Sequence, residues 1–197
     1  MEKFQKRYRI ESARMPNWDY SWPGYYFITI CTKNRENFFG KIFQMKMQLS
    51  AIGEIVSREW ENTRNLRSGI EIDEWIVMPN HLHGIIIINK NQNRAATKCR
   101  DALKCVSAFG RFADGTRPYK NKFGPQSNNI SAIIRGFKGA ATKKIHVAKF
   151  KEFAWQPRFY DHIIFDDRGL ETIRRYIRNN VLNWENDRNN SKNFGDC

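Results

Sequence analysis

The stretch from Trp75 to Ile88, Trp-Ile-Val-Met-Pro-Asn-His-Leu-His-Gly-Ile-Ile-Ile-Ile, constrains this chain more than any other. β-Branched and aromatic residues crowd both sides of a Pro79-Asn80 break, which predicts two short strand segments with a turn or bulge between them. Successive side chains of a strand point to opposite faces, so His81 and His83 project together while Leu82 turns into a core. Two imidazoles on one strand face are able to hold one divalent ion. The four isoleucines that follow read as a buried strand, which would fix those rings on a rigid element. A His-x-His pair also occurs as two solvated histidines on a half-exposed sheet. Two of the four histidines of the chain fall here, beside Asn80, and that concentration turns the reading toward a metal site.

The charge balance points to the partner. Lys and Arg number 34 against 20 Asp and Glu, a formal net charge of +14, which suits a polyanion, and nucleic acid is the commonest one. A membrane surface competes for the same charge, but no basic amphipathic helix with a clean apolar face stands out, no run of eighteen apolar residues occurs, and the charged start Met-Glu-Lys-Phe-Gln-Lys-Arg is unlike a signal peptide. A cytoplasmic protein without a membrane partner is expected. Cys31, Cys99, Cys105 and Cys197 lack Cys-x-x-Cys or zinc-finger spacing and read as free thiols.

Along the chain, residues 1–23 form a basic arm. Its Trp18, Tyr20 and Trp22 either track a nucleic-acid strand or, the preferred reading, dock on the domain. Tyr25 to Thr32 reads as a central strand, and Phe38 to Ile42 as a short return strand. A helix from about Ser50 to Asn65 carries Ile52, Ile55, Val56 and Trp60 on one face, with Ser50 as its N-cap. Residues 89–128, basic and broken by glycine and proline, read as an insertion that is either a flap suited to phosphates or a solvated linker. Ser131 is the expected cap of a second helix, whose apolar Ile133, Ile134, Phe137 and Ile145 oppose a basic face with Arg135 and Lys138. That face suits nucleic acid or plain solvation. An extended segment around Phe159 to Phe165 precedes a last helix, capped by Asp166 or Asp167 and running to about Trp184.

The last helix is the second chemical element. Tyr176 and Asn180 stand four residues apart at the edge of its apolar stripe, with Arg174, Arg175 and Arg178 around them. Such cations, with a metal, are expected to raise the phenolate fraction of the tyrosine. A tyrosine bordering a core stripe is otherwise ordinary packing with a wet hydroxyl.

Four segments together resemble the HUH single-tyrosine transposases, and most closely the REP-associated tyrosine transposase-like proteins. They are Tyr20 to Thr32, the Val77 to Gly84 run with its Met-Pro-Asn-His-Leu-His, Trp155 to His162, and Arg175 to Asn180 with its Tyr-x-x-x-Asn. The resemblance spans about residues 14–187 with the insertion left out. It implies an α+β fold, a ferredoxin-like antiparallel β-sheet with helices packed on it, which agrees with the element order above. It implies Mg²⁺ or Mn²⁺ on His81 and His83, with Asn180 completing the site, and Tyr176 as the nucleophile toward single-stranded or hairpin DNA. The products would be a 5′-phosphotyrosine and a free 3′-hydroxyl. The resemblance makes Tyr176, His81 and His83 the catalytic set, and the cations Arg135, Lys138, Arg174, Arg175 and Arg178 are the DNA contacts expected of such a chain. A homodimer is among its assemblies. Here Val181 follows Asn180 where many relatives have proline, so the helix is expected to run on. Two other readings use the same residues: a domesticated, catalytically silent hairpin-binding protein, and a metal-dependent phosphodiesterase in which water replaces Tyr176.

Overall fold

A computed structural model of the chain describes residues 15, 18–89 and 129–193, together with the backbone of 3–4 and 7–8. The insertion expected at 89–128, apart from Asn89, lies outside the described residues, as do most of the arm and Cys99, Cys105 and Cys197. Strands β1 (Lys3–Phe4) and β2 (Arg7–Tyr8) pair with each other. The central sheet is built from β3 (Gly24–Cys31), β6 (Ile70–Val77), β7 (His81–Ile88) and β8 (Tyr160–Ile164), antiparallel in the order β6-β7-β3-β8. Helix α1 (Ala51–Asn62) connects β3 to β6, α2 (Ile130–Val147) precedes β8, and α3 (Asp167–Arg178) follows it. This order, with β3 and β6 parallel on either side of β7, is the ferredoxin-like α+β arrangement expected from the sequence.

The period of two along each strand separates two cores. One face of the sheet buries Tyr26, Ile28, Ile30, Leu82 and Ile86 against α1 and α2, which contribute Ile52, Val56, Trp60, Ile133, Phe137, Ala141 and Ile145. The other face buries Phe27, Ile85 and Ile164 against Leu170 and Ile177 of α3. The isoleucine run is buried as expected, except that Ile87 is half-buried. Trp18 and Tyr20 join the first core, so the aromatics of the arm that are described dock on the domain.

Helix ends follow local hydrogen bonding. Ser50 caps α1, its Oγ accepting from Gly53 N–H at 3.1 Å, and Asp166 caps α3 by accepting from Gly169 N–H. The cap of α2 is Asn129, not Ser131: its Oδ1 accepts from Ala132 N–H at 2.8 Å and starts the helix before the serine is reached. Two expected lengths were too long. Helix α1 stops at Asn62, and α3 stops at Arg178 instead of continuing to Trp184. Beyond Arg178 the chain turns through Asn179 and Asn180, whose short amides compete with the helical backbone, into a 3₁₀ turn at Trp184–Asn186. The return strand also differs. Strand β4 (Gly40–Phe43) pairs only with β5 (Lys46–Leu49), because Gln44 and Met45 both take positive φ and close a tight hairpin outside the main sheet.

Gly84, immediately after the histidine pair, is required by packing. A Cβ there would stand 2.5 Å from the ring of the fully buried Trp60. Gly84→Ala is expected to destabilise the protein by about 1–3 kcal/mol, the usual range for overpacking, measured by chemical denaturation against wild type. An unchanged midpoint would mean that the Trp60 ring yields freely.

Candidate metal centre and tyrosine

Register brings the site together. In the β3–β7 ladder Cys31 lies opposite His81 and Thr29 opposite His83, while on its other side Thr29 lies opposite Tyr160 of β8. Tyr160, Thr29 and His83 therefore form one row on the face that carries α3. His81 and His83 are fully buried, with their Nε2 atoms 3.0 Å apart, while Leu82 enters the opposite core as expected.

Neighbours fix how each ring is presented. The Nδ2 of Asn80 donates to Arg35 O at 3.0 Å and to Asn189 O at 2.8 Å, which leaves its Oδ1 facing His81 Nδ1 at 2.8 Å. The proton of His81 must therefore be on Nδ1, and its Nε2 presents a lone pair. His83 Nδ1 lies 2.9 Å from Thr29 Oγ1, and the phenolic oxygen of Tyr176 lies 3.1 Å from His83 Nε2. The rings are also held by stacking, His83 on Phe27 at 5.3 Å and His81 on Trp184 at 6.0 Å.

The third group comes from beyond α3. Asp187 is buried, its Oδ2 is 4.0 Å from His81 Nε2, and one ligand atom from each of His81, His83 and Asp187 falls within 4.8 Å of the others. Its Oδ1 accepts from Asn189 N–H at 2.6 Å and its Oδ2 accepts from Asn180 Nδ2 at 3.2 Å. Asn180, the residue expected to complete a metal site, thus holds the carboxylate in place, and its own buried Oδ1 has no hydrogen-bond partner among the described residues.

Three observations fit this group to a divalent cation. Two imidazole lone pairs and a carboxylate are a common donor set for one, and an orphaned amide oxygen adjoins them. The 3.0 Å between the Nε2 atoms matches neighbouring ligands at a right angle on bonds of about 2.1 Å.

Electrostatics agree. Burial, helped by the positive charges of Arg35 and Arg188, lowers the pKa of His81 to about 3, and burial with the neighbouring His81 holds His83 well below the usual histidine range. Both rings are neutral near pH 7, as ligands must be. The tyrosine departs from expectation. Burial, and then the Asp187 carboxylate, raise its pKa, and the Asn180 hydrogen bond and Arg188 offset only part of this.

The arginines of α3 do not surround the phenol. A register shift between Ile72 and Trp75 leaves Asp73 and Glu74 in a bulge, with both carboxylates turned to α3. Arg174 donates to Asp73 through Nε at 2.9 Å and Nη2 at 2.7 Å, and Arg178 donates to Glu74 at 2.9 Å. These pairs clasp α3 to β6. Arg175 is exposed and has no ion-pair partner among the described residues. Arg135 and Lys138 lie on α2, which packs on the opposite face of the sheet. Burial lowers the pKa of Lys138 to about 8, and its ammonium donates to Gln156 O and Arg158 O.

Asp187, Thr29, Arg35 and Arg188 were missed by sequence reasoning. Thr29 could have been found from strand pairing once β3 and β7 were placed side by side. Asp187 lies in Glu-Asn-Asp-Arg-Asn-Asn, which has no periodicity, and its one signal was a carboxylate eleven residues past the tyrosine.

No protein-family model matches the chain. A Haemophilus influenzae protein, described only as an uncharacterized protein, is 37% identical over 176 residues, which cover 89% of this chain and 90% of that one. This chain belongs to the family of that Haemophilus protein. Among solved structures, that of a REP-associated tyrosine transposase bound to a REP hairpin matches with a TM-score of 0.51 at 19% identity, over 89% of this chain and 74% of that one. The likeness shows that this chain and that structure share a fold. No helix among the described residues is long and apolar enough to cross a membrane.

The histidine shifts carry a sign. Below pH 6.5 an unfolded His81 takes up a proton that the folded chain refuses until about pH 3, so the unfolded state binds more protons across that window. In chelator, stability is expected to be complete above pH 6.5 and to fall progressively toward pH 3. His81→Gln should flatten the profile of denaturation midpoint against pH, and an equally steep profile in that variant would count against the assignment.

Proposed function

We propose that this protein is a metal-dependent strand transferase of single-stranded hairpin DNA, a transposase-type enzyme in which Tyr176 is the nucleophile. One observation carries the reading: the half-exposed phenol of Tyr176 comes within 3.1 Å of His83 Nε2, at the point where His81, His83 and Asp187 converge. A phenol placed for structure alone would not need to meet two neutral buried imidazoles and a carboxylate.

In this reading His81, His83 and Asp187 hold Mg²⁺ or Mn²⁺, with the Oδ1 of Asn180 as a further donor. When bound, the ion supplies positive charge to the non-bridging oxygens of the scissile phosphate and favours the phenolate of Tyr176. The remaining work belongs to the chain. Asn80 and Thr29 orient the imidazoles. The Asp73 and Glu74 clasp fixes α3, and Phe27 packs edge-on against the Tyr176 ring at 6.1 Å, so the oxygen is aimed. Arg188, exposed and seated over the Tyr160 ring, faces phosphate from the other side. The phenolate oxygen attacks phosphorus, and the phosphorus–O3′ bond breaks. The phenol gives its proton to solvent as the phenolate forms, and the 3′-oxygen leaves with its electron pair and takes a proton from solvent, while the phosphate stays on Tyr176 as a 5′-phosphotyrosine. The reverse attack by a 3′-hydroxyl reseals DNA without an external energy source, because the phosphotyrosine retains the bond. Arg135, Lys138 and Arg175 serve as phosphate contacts, and Arg174 and Arg178 act first through their carboxylates.

The test is a covalent-adduct assay with labelled single-stranded hairpin oligonucleotides and Mn²⁺. Wild type should yield label that migrates with denatured protein, and Tyr176→Phe should yield none. Cleavage without adduct would make water the nucleophile, and binding without cleavage would make the protein a silent hairpin binder. Independently of activity, Mn²⁺ should raise the melting temperature of wild type, and this shift should vanish in His81→Ala and Asp187→Ala. For Asn80→Ala, about a 10–100-fold loss of Mn²⁺ affinity by calorimetry is expected, the usual cost of removing a group that orients a ligand.

A further inference from the structure

A groove of about 700 Å³ lies between α2 and the segment leading into β8. Arg135, Lys138 and Lys143 line one side, Pro157 and Phe159 the other, and among the described residues no carboxylate contributes to its lining. Among the described residues neither Arg135 nor Lys143 has an ion-pair partner, whereas Lys144, one position on, is spent on Glu59. The ammonium of Lys138 ties the walls together by donating to Gln156 O at 2.7 Å and Arg158 O at 3.1 Å. Gly139 lines the groove in mid-helix, and a Cβ there would meet nothing within 4 Å. Helix packing does not demand this glycine. The open floor is the feature it provides.

The groove adjoins the start of β8, across which the site lies on the other face of the sheet. Phe159 lines it, and the next residue, Tyr160, opens β8 on the face of His83, 45% exposed, under Arg188 and in the row Tyr160, Thr29, His83. With adjacent strands about 4.8 Å apart, that row spans roughly 10 Å. Phosphates against cations with rings against bases is how single strands are held, since a duplex hides its base faces and offers mainly phosphates.

We propose that this groove receives the unpaired DNA segment beside the scissile phosphate, with Arg135 and Lys143 on its phosphates and Phe159 on a base, and guides it over the β8 edge past Tyr160 to Tyr176. The proposal rests on the strand-transferase reading for its direction, but its binding step needs neither metal nor Tyr176.

The experiment uses the full chain in chelator. Fluorescence anisotropy compares a short labelled oligothymidylate with a blunt hairpin lacking single-stranded ends, for wild type, Gly139→Glu, Gly139→Ala and the double variant Arg135→Ala with Lys143→Ala. Gly139→Glu has room to fold, which equal melting temperatures check. It is expected to weaken oligothymidylate binding about tenfold or more and to leave blunt-hairpin binding within about twofold, as does loss of one stacked base. Gly139→Ala should bind as wild type. The double variant should reduce the salt slope for the single strand by about 1.4, two contacts' worth. Unchanged oligothymidylate affinity in Gly139→Glu, or an equal loss for the blunt hairpin, overturns the proposal. The adduct assay separates the two readings: adducts formed equally by wild type and Gly139→Glu defeat the groove alone. Groove-dependent binding without any wild-type adduct keeps the groove and defeats the transferase.

Discussion

The side chain of Asn80 is the constraint on which the site depends. It is fully buried, its amide group donates to two carbonyls from distant segments, those of Arg35 and Asn189, and its carbonyl accepts from His81. Each buried polar bond contributes modestly to net stability, but leaving any of these groups unpaired costs about 1–3 kcal/mol, so the three segments are coupled through one side chain. The turn that follows Pro79 thereby sets the tautomer of His81, the seating of the 33–35 loop and the path of the chain after α3. Asn80 is followed at once by the strand that carries both histidines, so the residue that orients the site and the strand that bears it are contiguous in the chain.

The sheet was legible because its chemistry and its pattern coincide. Alternation around His81, Leu82 and His83 located both a strand and two opposed faces, and the ladder with β3 bears that out residue by residue. Helices with strong apolar stripes and a polar cap at Ser50 or Asp166 were equally plain. The rest of the site was not, since it is made of polar residues without a period. Asp187 is held by Asn180 and by its own Asn189 N–H, in a segment whose fold is written in side-chain amides and not in hydrophobic spacing. The end of α3 was misjudged for the same reason: Val181 and Trp184 continue the apolar stripe, but burial of Asn180 and stacking of Trp184 on His81 win. The hairpin after Phe39 was missed because Gln-Met is an unusual occupant of a turn that needs two positive φ values.

Charge near a tyrosine in sequence is not charge near its oxygen in space. Arg174 and Arg178 flank Tyr176 along the helix, yet a bulge in β6 brings two carboxylates to meet them. The Arg178 pair is half exposed and worth little by itself, whereas the Arg174 bond to Asp73 is two-pronged on a partly buried carboxylate and sets the helix orientation. The phenol is left with Asp187 as its dominant charged neighbour, which disfavours the phenolate. A resting tyrosine that stays protonated is a safe one. On the proposed reading, its activation waits for the cation that would also neutralise Asp187, so nucleophile and Lewis acid become competent together.

The same separation governs the excess of positive charge. Cations around the buried centre must be few, because each further depresses the histidines and competes with a metal ion. Among the described residues, Arg35 and Arg188 act on His81 from nearby. The free cations described on α2, Arg135 and Lys143, lie instead beyond the sheet edge, where a polyanion can be gripped without disturbing the ligands. Edge strand β8 is the boundary between the two environments, with Phe159, just before it, lining the groove and Tyr160, its first residue, on the face of the site. On the proposed reading, affinity and chemistry lie on opposite sides of one strand, and a substrate that crosses the strand engages both.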